Sequence, residues 1–246
     1  MIILALDTST RIGSMALACD GNVIGSMVGD NTRTHGERLP GDIMTLLAAH
    51  DTALRDIDVF AVASGPGSFS SLRVGIATIQ AFALAHQRRV LPISVFAAIT
   101  ETIKGPRTGL GPVTDMVVVW IGGHRGDIFA SLYERSGSSL QNVAGPVVGQ
   151  TTEILAEWQR QLTGRTVCFV GDGVVGNRSL LMERFGSATI LQPDVPPLAS
   201  FMARMAKMLA ERGESVLPHA VRPLYVRRPD AELTRGYGVK SPYDGR

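Results

Sequence analysis

GPGSFSSLRVG, Gly65–Gly75, follows the strand-like FAVAS and precedes the helix-like IATIQAFALA. A glycine-rich turn from strand to helix aims backbone N–H groups outward and sets an anion at the positive end of a helix dipole. The stretch therefore has the chemistry of a phosphate cradle. Two familiar cradles do not fit it. A P-loop closes on Lys followed by Ser or Thr, and here the chain has Ser70, Ser71 and Leu72. A dinucleotide fingerprint belongs to the first βαβ unit with an acid about 20 residues on, whereas strand-rich sequence precedes Gly65 and the downstream HQRRVLP carries no acid.

Working outward, the 246-residue chain has length for a substantial core, in one large domain or two small ones. With 45% hydrophobic and 19% charged residues it is not a disordered protein. No apolar run reaches the length of a membrane span, and MIILALDTS meets an acid at Asp7, so a cytoplasmic protein is expected. Cys19 and Cys168 are isolated, which suits small buried hydrophobes rather than a disulfide framework or a zinc site. A net charge of +2 does not by itself indicate a nucleic-acid binder.

IILALDTSTRIGSMALACDGNVIGSMV reads as three strands, with a turn at Thr8–Gly13 and a hairpin at Asp20-Gly21. HGERLPGDIMTLLAAHD carries Leu39, Ile43, Leu46 and Leu47 at helical spacing. DVFAVASG feeds the glycine loop, and the helix after it, from about Ser70 to His86, is apolar on nearly every side. RVLPISVFAAITETI adds a strand and a helix before KGPRTGLGP, dense enough in Gly and Pro to mark a linker. The second half begins a new cycle: DMVVVWIGG pairs with DIFASLYER, TTEILAEWQRQL is a helix, TVCFVGDG a strand, SLLMERFG a short helix and LASFMARMAKMLAERGE an amphipathic helix. The expected division is an N-terminal lobe over 1–107, a C-terminal α/β lobe over 112–228, and a loose tail over 229–246.

Both halves open on a strand hairpin and continue into mixed α/β, the plan of a two-lobed actin-like ATPase (ASKHA, ribonuclease H-like) fold. In nucleotide-binding members the first turn is Asp-x-Gly against metal and phosphate. Here it is Asp7-Thr8-Ser9, and the Cβ of Ser9 takes space that glycine leaves free. Asp7 is either a turn-former or a ligand to metal-bound phosphate.

ILALDTST, HGERLPGDIMTLL, SGPGSFSSLRVGIATIQAFALA and RPLYVR together resemble the TsaB (YeaZ) family, from Met1 to about Arg228. This is the actin-like-fold subunit of the bacterial machinery for threonylcarbamoyladenosine at tRNA position 37. The resemblance implies a non-catalytic dimerisation subunit that partners the related TsaD in transferring threonylcarbamoyl to adenosine 37 of tRNAs reading ANN codons. The ATPase TsaE would dock on that pair. It further implies tRNA contact through the complex, either a homodimer or a monomer when the chain is alone, and no cofactor of its own, with ATP and metal on the partner subunits.

Three positions depart from the family pattern. Ser70 and Ser71 stand where Thr and Gly are common, and Gly122 stands where an acid is expected. Val95 and Ile99 stand where TsaD has its metal-binding histidine pair, and neither side chain can coordinate a metal. His35, His50, His86, His124 and His219 form no metal-ligand spacing, and His35, at the start of a helix, suits a capping or subunit-contact role. The serines of the loop lack a GxSxG elbow and a base, which argues against a serine hydrolase. Catalytic and metal residues are therefore expected to be absent. Asp7, Gly65, Gly67 and Ser68 form a weak or vestigial phosphate loop. Leu39, Ile43, Leu46, Leu72, Arg73 and Ile76 are the expected partner interface, with the two helices covering each other within one monomer as the competing reading. The alternative function is an independent actin-like-fold ATPase or small-molecule kinase using Asp7 and Gly65–Gly67.

Overall fold

The computed structural model describes residues 1–104, 114–123, 126–186 and 189–224. Most of the KGPRTGLGP linker, His124 and the 229–246 tail lie outside the described residues.

β1 (Ile2–Asp7), β2 (Ser14–Cys19) and β3 (Asn22–Val28) form an antiparallel meander. Asp20 and Gly21 both have positive φ, 50° and 85°, the primed-turn geometry that joins twisted strands directly. α1 (His35–Ala48) leads to β4 (Val59–Gly65), and α2 (Phe69–Ala85) to β5 (Arg89–Ser94), both strands parallel to β1. The resulting sheet has the order β3-β2-β1-β4-β5.

After α3 (Val95–Thr102) the pattern repeats. β6 (Met116–Gly122), β7 (Ile128–Ser136) and β8 (Ser139–Gly149) form a second meander. α4 (Thr151–Glu157) and the single turn α5 (Gln159–Leu162) lead to β9 (Val167–Val170), and α6 (Gly173–Phe185) to β10 (Thr189–Gln192). The second sheet, β8-β7-β6-β9-β10, has the order of the first, with the same three antiparallel and two parallel strands. Two such units are the actin-like fold read from the sequence.

α7 (Ala199–Glu211) follows the second sheet in the chain. It lies across all five strands of the first sheet, although the chain reaches it after the second. The reason is in the alternation: Ala5, Ala16, Ala18, Ala61 and Ala63 turn one face of the first sheet into a shallow bed, and Ala199, Ala203 and Ala206 let the helix settle close to it. That core continues through α3 to Val117, Val119, Cys168 and Val170 of the second sheet, so α3 and α7 are the shared packing between lobes. The opposite face of the first sheet, Leu4, Leu6, Leu17, Phe60 and Val62, carries α1 and α2. Behind the second sheet, Trp120, Phe169, Trp158 and Leu181 form a third core.

Cys168 is buried, which pushes its thiol up to about 11. Cys19 is only half-buried at the end of β2, contrary to the expectation that both cysteines are core.

Candidate functional site

β1 delivers Asp7 to the end of the first sheet, where its carboxylate turns back on its own chain: the Ser9 N–H donates to Asp7 Oδ1 at 2.8 Å. Burial raises the carboxyl pKa above its ordinary value, an effect opposed by the Ser9 N–H and by His35. Asp7 thus forms the turn.

Two residues of α1 clamp that turn. His35 Nε2 donates to Thr10 O at 2.9 Å, and its Nδ1 accepts from Arg38 Nη2 at 2.9 Å, since a guanidinium has only donors. Arg38, 2% exposed, also donates from Nη2 to Ile12 O and from Nη1 to Asp42 Oδ2 at 2.7 Å. The helix cap is Thr34, in a capping box with Glu37, so His35 holds the turn rather than the helix end. The sequence reading missed Arg38. Its signal was His35, Arg38 and Asp42 at i, i+3 and i+7 on one helix face.

The glycine loop closes onto the same turn. Ser68 N–H donates to Ser9 O at 3.0 Å. A Cβ on Gly67 would stand 2.6 Å from Ser9 O and 2.8 Å from Ser9 Cβ, which is why only glycine fits. On the other side, Gly65 has φ +117° and is covered by Leu224, whose N–H donates to Ser64 O at 2.7 Å. Asp7, Gly67 and Ser68 thus all meet Ser9, which stands between the two loops, while Gly65 lies against Leu72 and Leu224.

The expected interface side chains lie elsewhere than at a surface. Leu39, Ile43, Leu46 and Ile76 are buried under α1 and α2 in the first lobe's core, and Leu72 in the core shared between lobes. A sheet face demands the large aliphatics at i, i+3 and i+4, and the competing reading holds for these five. What remains outside is Gly36, Pro40, Gly41 and Met44 on α1, and Phe69, Arg73, Ala77, Ala81 and Leu84 on α2. Arg73 lies over the Phe69 ring, 3.9 Å from its centroid. A Cβ on Gly36 or Gly41 would meet nothing within 4 Å. Within the described residues, then, nothing in the monomer requires glycine at either position.

Val95 and Ile99 are buried in the core between lobes. Gly122 N–H donates to Asp172 Oδ1 at 2.9 Å, so an acid at 122 would face the carboxylate that has taken over that end of the second sheet. A concavity of about 430 Å³, lined by Gln159, Thr163, Arg165 and Arg184, is at the opposite end of β9. Among the described residues no three His, Cys, Asp or Glu group as a metal site.

A family model described as "TsaD: tRNA N6-adenosine threonylcarbamoyltransferase" matches residues 28–232. The chain belongs to that family. Its full-length relatives place it with the TsaB (YeaZ) members. It is 28% identical to the tRNA threonylcarbamoyladenosine biosynthesis protein TsaB of Escherichia coli, over 92% of this chain and 95% of the relative. It is 25% identical to the Bacillus subtilis protein of the same description, over 94% and 96%. The solved structure of YeaZ from Pseudomonas aeruginosa superposes with a TM-score of 0.73 at 25% identity, covering 91% of this chain and 99% of that one. No described helix is long and apolar enough to cross a membrane.

Proposed function

We propose that the chain is a non-catalytic dimerisation subunit of the t6A37 machinery, paired with TsaD in the transfer of threonylcarbamoyl to adenosine 37 of tRNAs reading ANN codons. The observation that carries this reading is the closed loop pair: the Ser9 backbone packs directly against Gly67 and accepts from the Ser68 N–H, where the sequence reading places a phosphate loop. The fold is kept while the chemistry is lost, and a scaffold is the use that survives. For the same reason the independent ATPase or kinase is not favoured. The descriptions of the family model and of the TsaB relatives support the t6A assignment.

The partner surface is the outer face of α1 and α2. Glycine inside an exposed helix costs about 1 kcal/mol against alanine, and Gly36 and Gly41 bring no packing in return. Close approach by another helix gives them a purpose. Met44, 50% exposed, and Leu84, 57% exposed, supply apolar anchors on the same face, with Arg73 and Glu37 toward its rim. TsaE docks on the resulting pair, ATP and metal reside on the partner subunits, tRNA is met through the complex in the cytoplasm, and the free chain uses the same face to form a homodimer.

The test is reconstitution of t6A formation with each subunit omitted in turn. Product must require this chain together with TsaD, and the chain alone must neither hydrolyse ATP nor phosphorylate a metabolite. Product formed without the chain overturns the reading.

A further inference from the structure

The concavity of about 430 Å³ at the Val167 end of β9 lies between α5, the start of β9 and the last turn of α6. Its volume is that of a small-molecule site, for which about 300–1,000 Å³ is usual. The lining divides by chemistry. Leu162, buried, and Phe185, whose ring meets that of Phe169 at 5.4 Å, are its apolar part, and Gln159, Arg165 and Arg184 are its polar part.

The side-chain hydrogen-bonding capacity left over here is mainly donor. The Thr163 hydroxyl donates to Gln159 O at 2.7 Å. Thr166 Oγ1 donates to Asp115 Oδ2 at 2.8 Å and accepts from the Asp115 N–H at 3.0 Å, so that acid is already engaged. The Gln159 side-chain oxygen accepts from Arg184 Nη2 at 3.1 Å, which leaves the Gln159 amide nitrogen as a donor. Arg184 Nη2 also donates to Leu155 O at 3.4 Å, and among the described residues these two neutral acceptors are its only partners. Arg165 donates from Nη1 to Glu134 Oε1 and, at 3.6 Å, to Met116 Sδ. A guanidinium carries five N–H donors. Both arginines therefore keep donors in hand, and the Arg184 charge faces no carboxylate among the described residues. The last turn of a helix favours a cation, which accounts for an arginine at 184 but not for the cavity beside it.

We propose that this concavity is a binding site for a small organic anion, one that carries a carboxylate or phosphate group on a flat apolar body. The anionic group meets Arg184 and the Gln159 amide, and a planar guanidinium fork takes either oxyanion through paired hydrogen bonds. Arg165, its charge partly balanced by Glu134, adds a second cation at the wall. The apolar body rests on Leu162 and Phe185. The site uses neither Asp7 nor the glycine loop nor the outer face of α1 and α2, so it stands without the partner reading.

The experiment is a titration of the ¹⁵N-labelled full chain, at constant ionic strength, with benzoate, with phenyl phosphate and with benzyl alcohol as the neutral ring, followed through backbone amide shifts. At least one anion is expected to give saturable shifts at Leu162, Gly164, Arg165 and Phe185, with benzyl alcohol about tenfold weaker or more. The tighter of the two anions identifies the group the site prefers. Arg184→Gln removes the unbalanced charge and should weaken the anion about tenfold or more. Thr163→Glu leaves both arginines in place, sets a negative charge at the rim and should do the same. Both positions are exposed, and melting temperatures within about 2 °C of the parent are expected. The proposal is overturned if neither anion gives saturable shifts at these residues, if benzyl alcohol binds as tightly as the anions, or if either folded variant binds the anion as the parent does.

Discussion

Ser9 and Gly67 are in backbone contact: a Cβ placed on Gly67 would stand 2.6 Å from the Ser9 carbonyl oxygen, and the neighbouring Ser68 N–H donates to that oxygen at 3.0 Å. The contact joins the first hairpin turn to the start of α2. Gly67→Ala must push one backbone segment away from the other. The expected cost is about 1–3 kcal/mol. At about 2–4 °C per kcal/mol for a chain of this size, a thermal melt checks it, and an unchanged melting temperature would show that the loops are not in contact.

Asp7→Asn tests whether the carboxylate has a ligand role. Asn keeps an oxygen for the Ser9 N–H and removes a charge held out of water. Burial raises the folded-state pKa, so the folded chain binds the proton more tightly than the unfolded chain. Stability therefore falls as pH rises through the window above the ordinary carboxylate value. The variant should be at least as stable as the parent at pH 7, with the difference shrinking below about pH 4, near the unfolded pKa. Urea titrations at both pH values measure it. A variant less stable at pH 7 would mean that the negative charge has a favourable partner.

Arg38 should be indispensable to the turn. Arg38→Ala leaves the Ile12 carbonyl without its donor and Asp42 with Arg33 alone, 3.8 Å away, and a loss of about 1–3 kcal/mol is expected, as for leaving a buried acceptor unsatisfied. Arg38→Lys should restore only part of it, because a single ammonium cannot reproduce the fork. Equal stability of Ala and parent would show that the clamp does not hold the turn.

In acid, the segment before α1 should loosen late. The Thr32 N–H and hydroxyl, with Arg33, hold Asp30 at about 2, well below its ordinary value. Stability from this group is present above the unfolded value and is lost as pH falls through about 2. Carboxyl chemical shifts of a Cγ-labelled Asp sample would follow it. A midpoint for Asp30 near 4 would contradict the bonding at this turn.

The strand hairpins, the glycine loop and the helical spacing of α1 and α2 were legible because each rests on local pattern: an Asp-Gly turn, a strand-to-helix glycine run, aliphatics at i, i+3 and i+4. β8 was not. SLQNVAGPVVG is assigned no element from its sequence, and it is a strand paired to β7 across two register shifts. The lobe of α7 was not legible either, since amphipathicity says that a face is buried and not by which sheet. Within the site, the sequence pointed to the bulk of Ser9 in the first turn, which the structure sets against Gly67. What failed was the side of the helix: Leu39 and Ile43 are the strongest apolar signal in α1, and the sheet takes the strongest signal first.

That difference yields a paired prediction. Ile43→Glu puts a charge in a fully buried position and should unfold the isolated chain, whereas Met44→Glu, one residue along on the exposed face, should keep its circular dichroism and melting temperature while losing association with TsaD. Retained association by a folded Met44→Glu together with a folded Ala81→Glu would move the partner surface off these helices.

A non-catalytic partner role is tested by t6A37 formation in a reaction reconstituted from purified components and titrated with this chain. No product is expected without the chain, with saturation at an equimolar ratio to TsaD and full support by Asp7→Asn. Product formed equally well in its absence, or lost with Asp7→Asn while association with TsaD persists, would contradict a non-catalytic partner whose phosphate loop is closed.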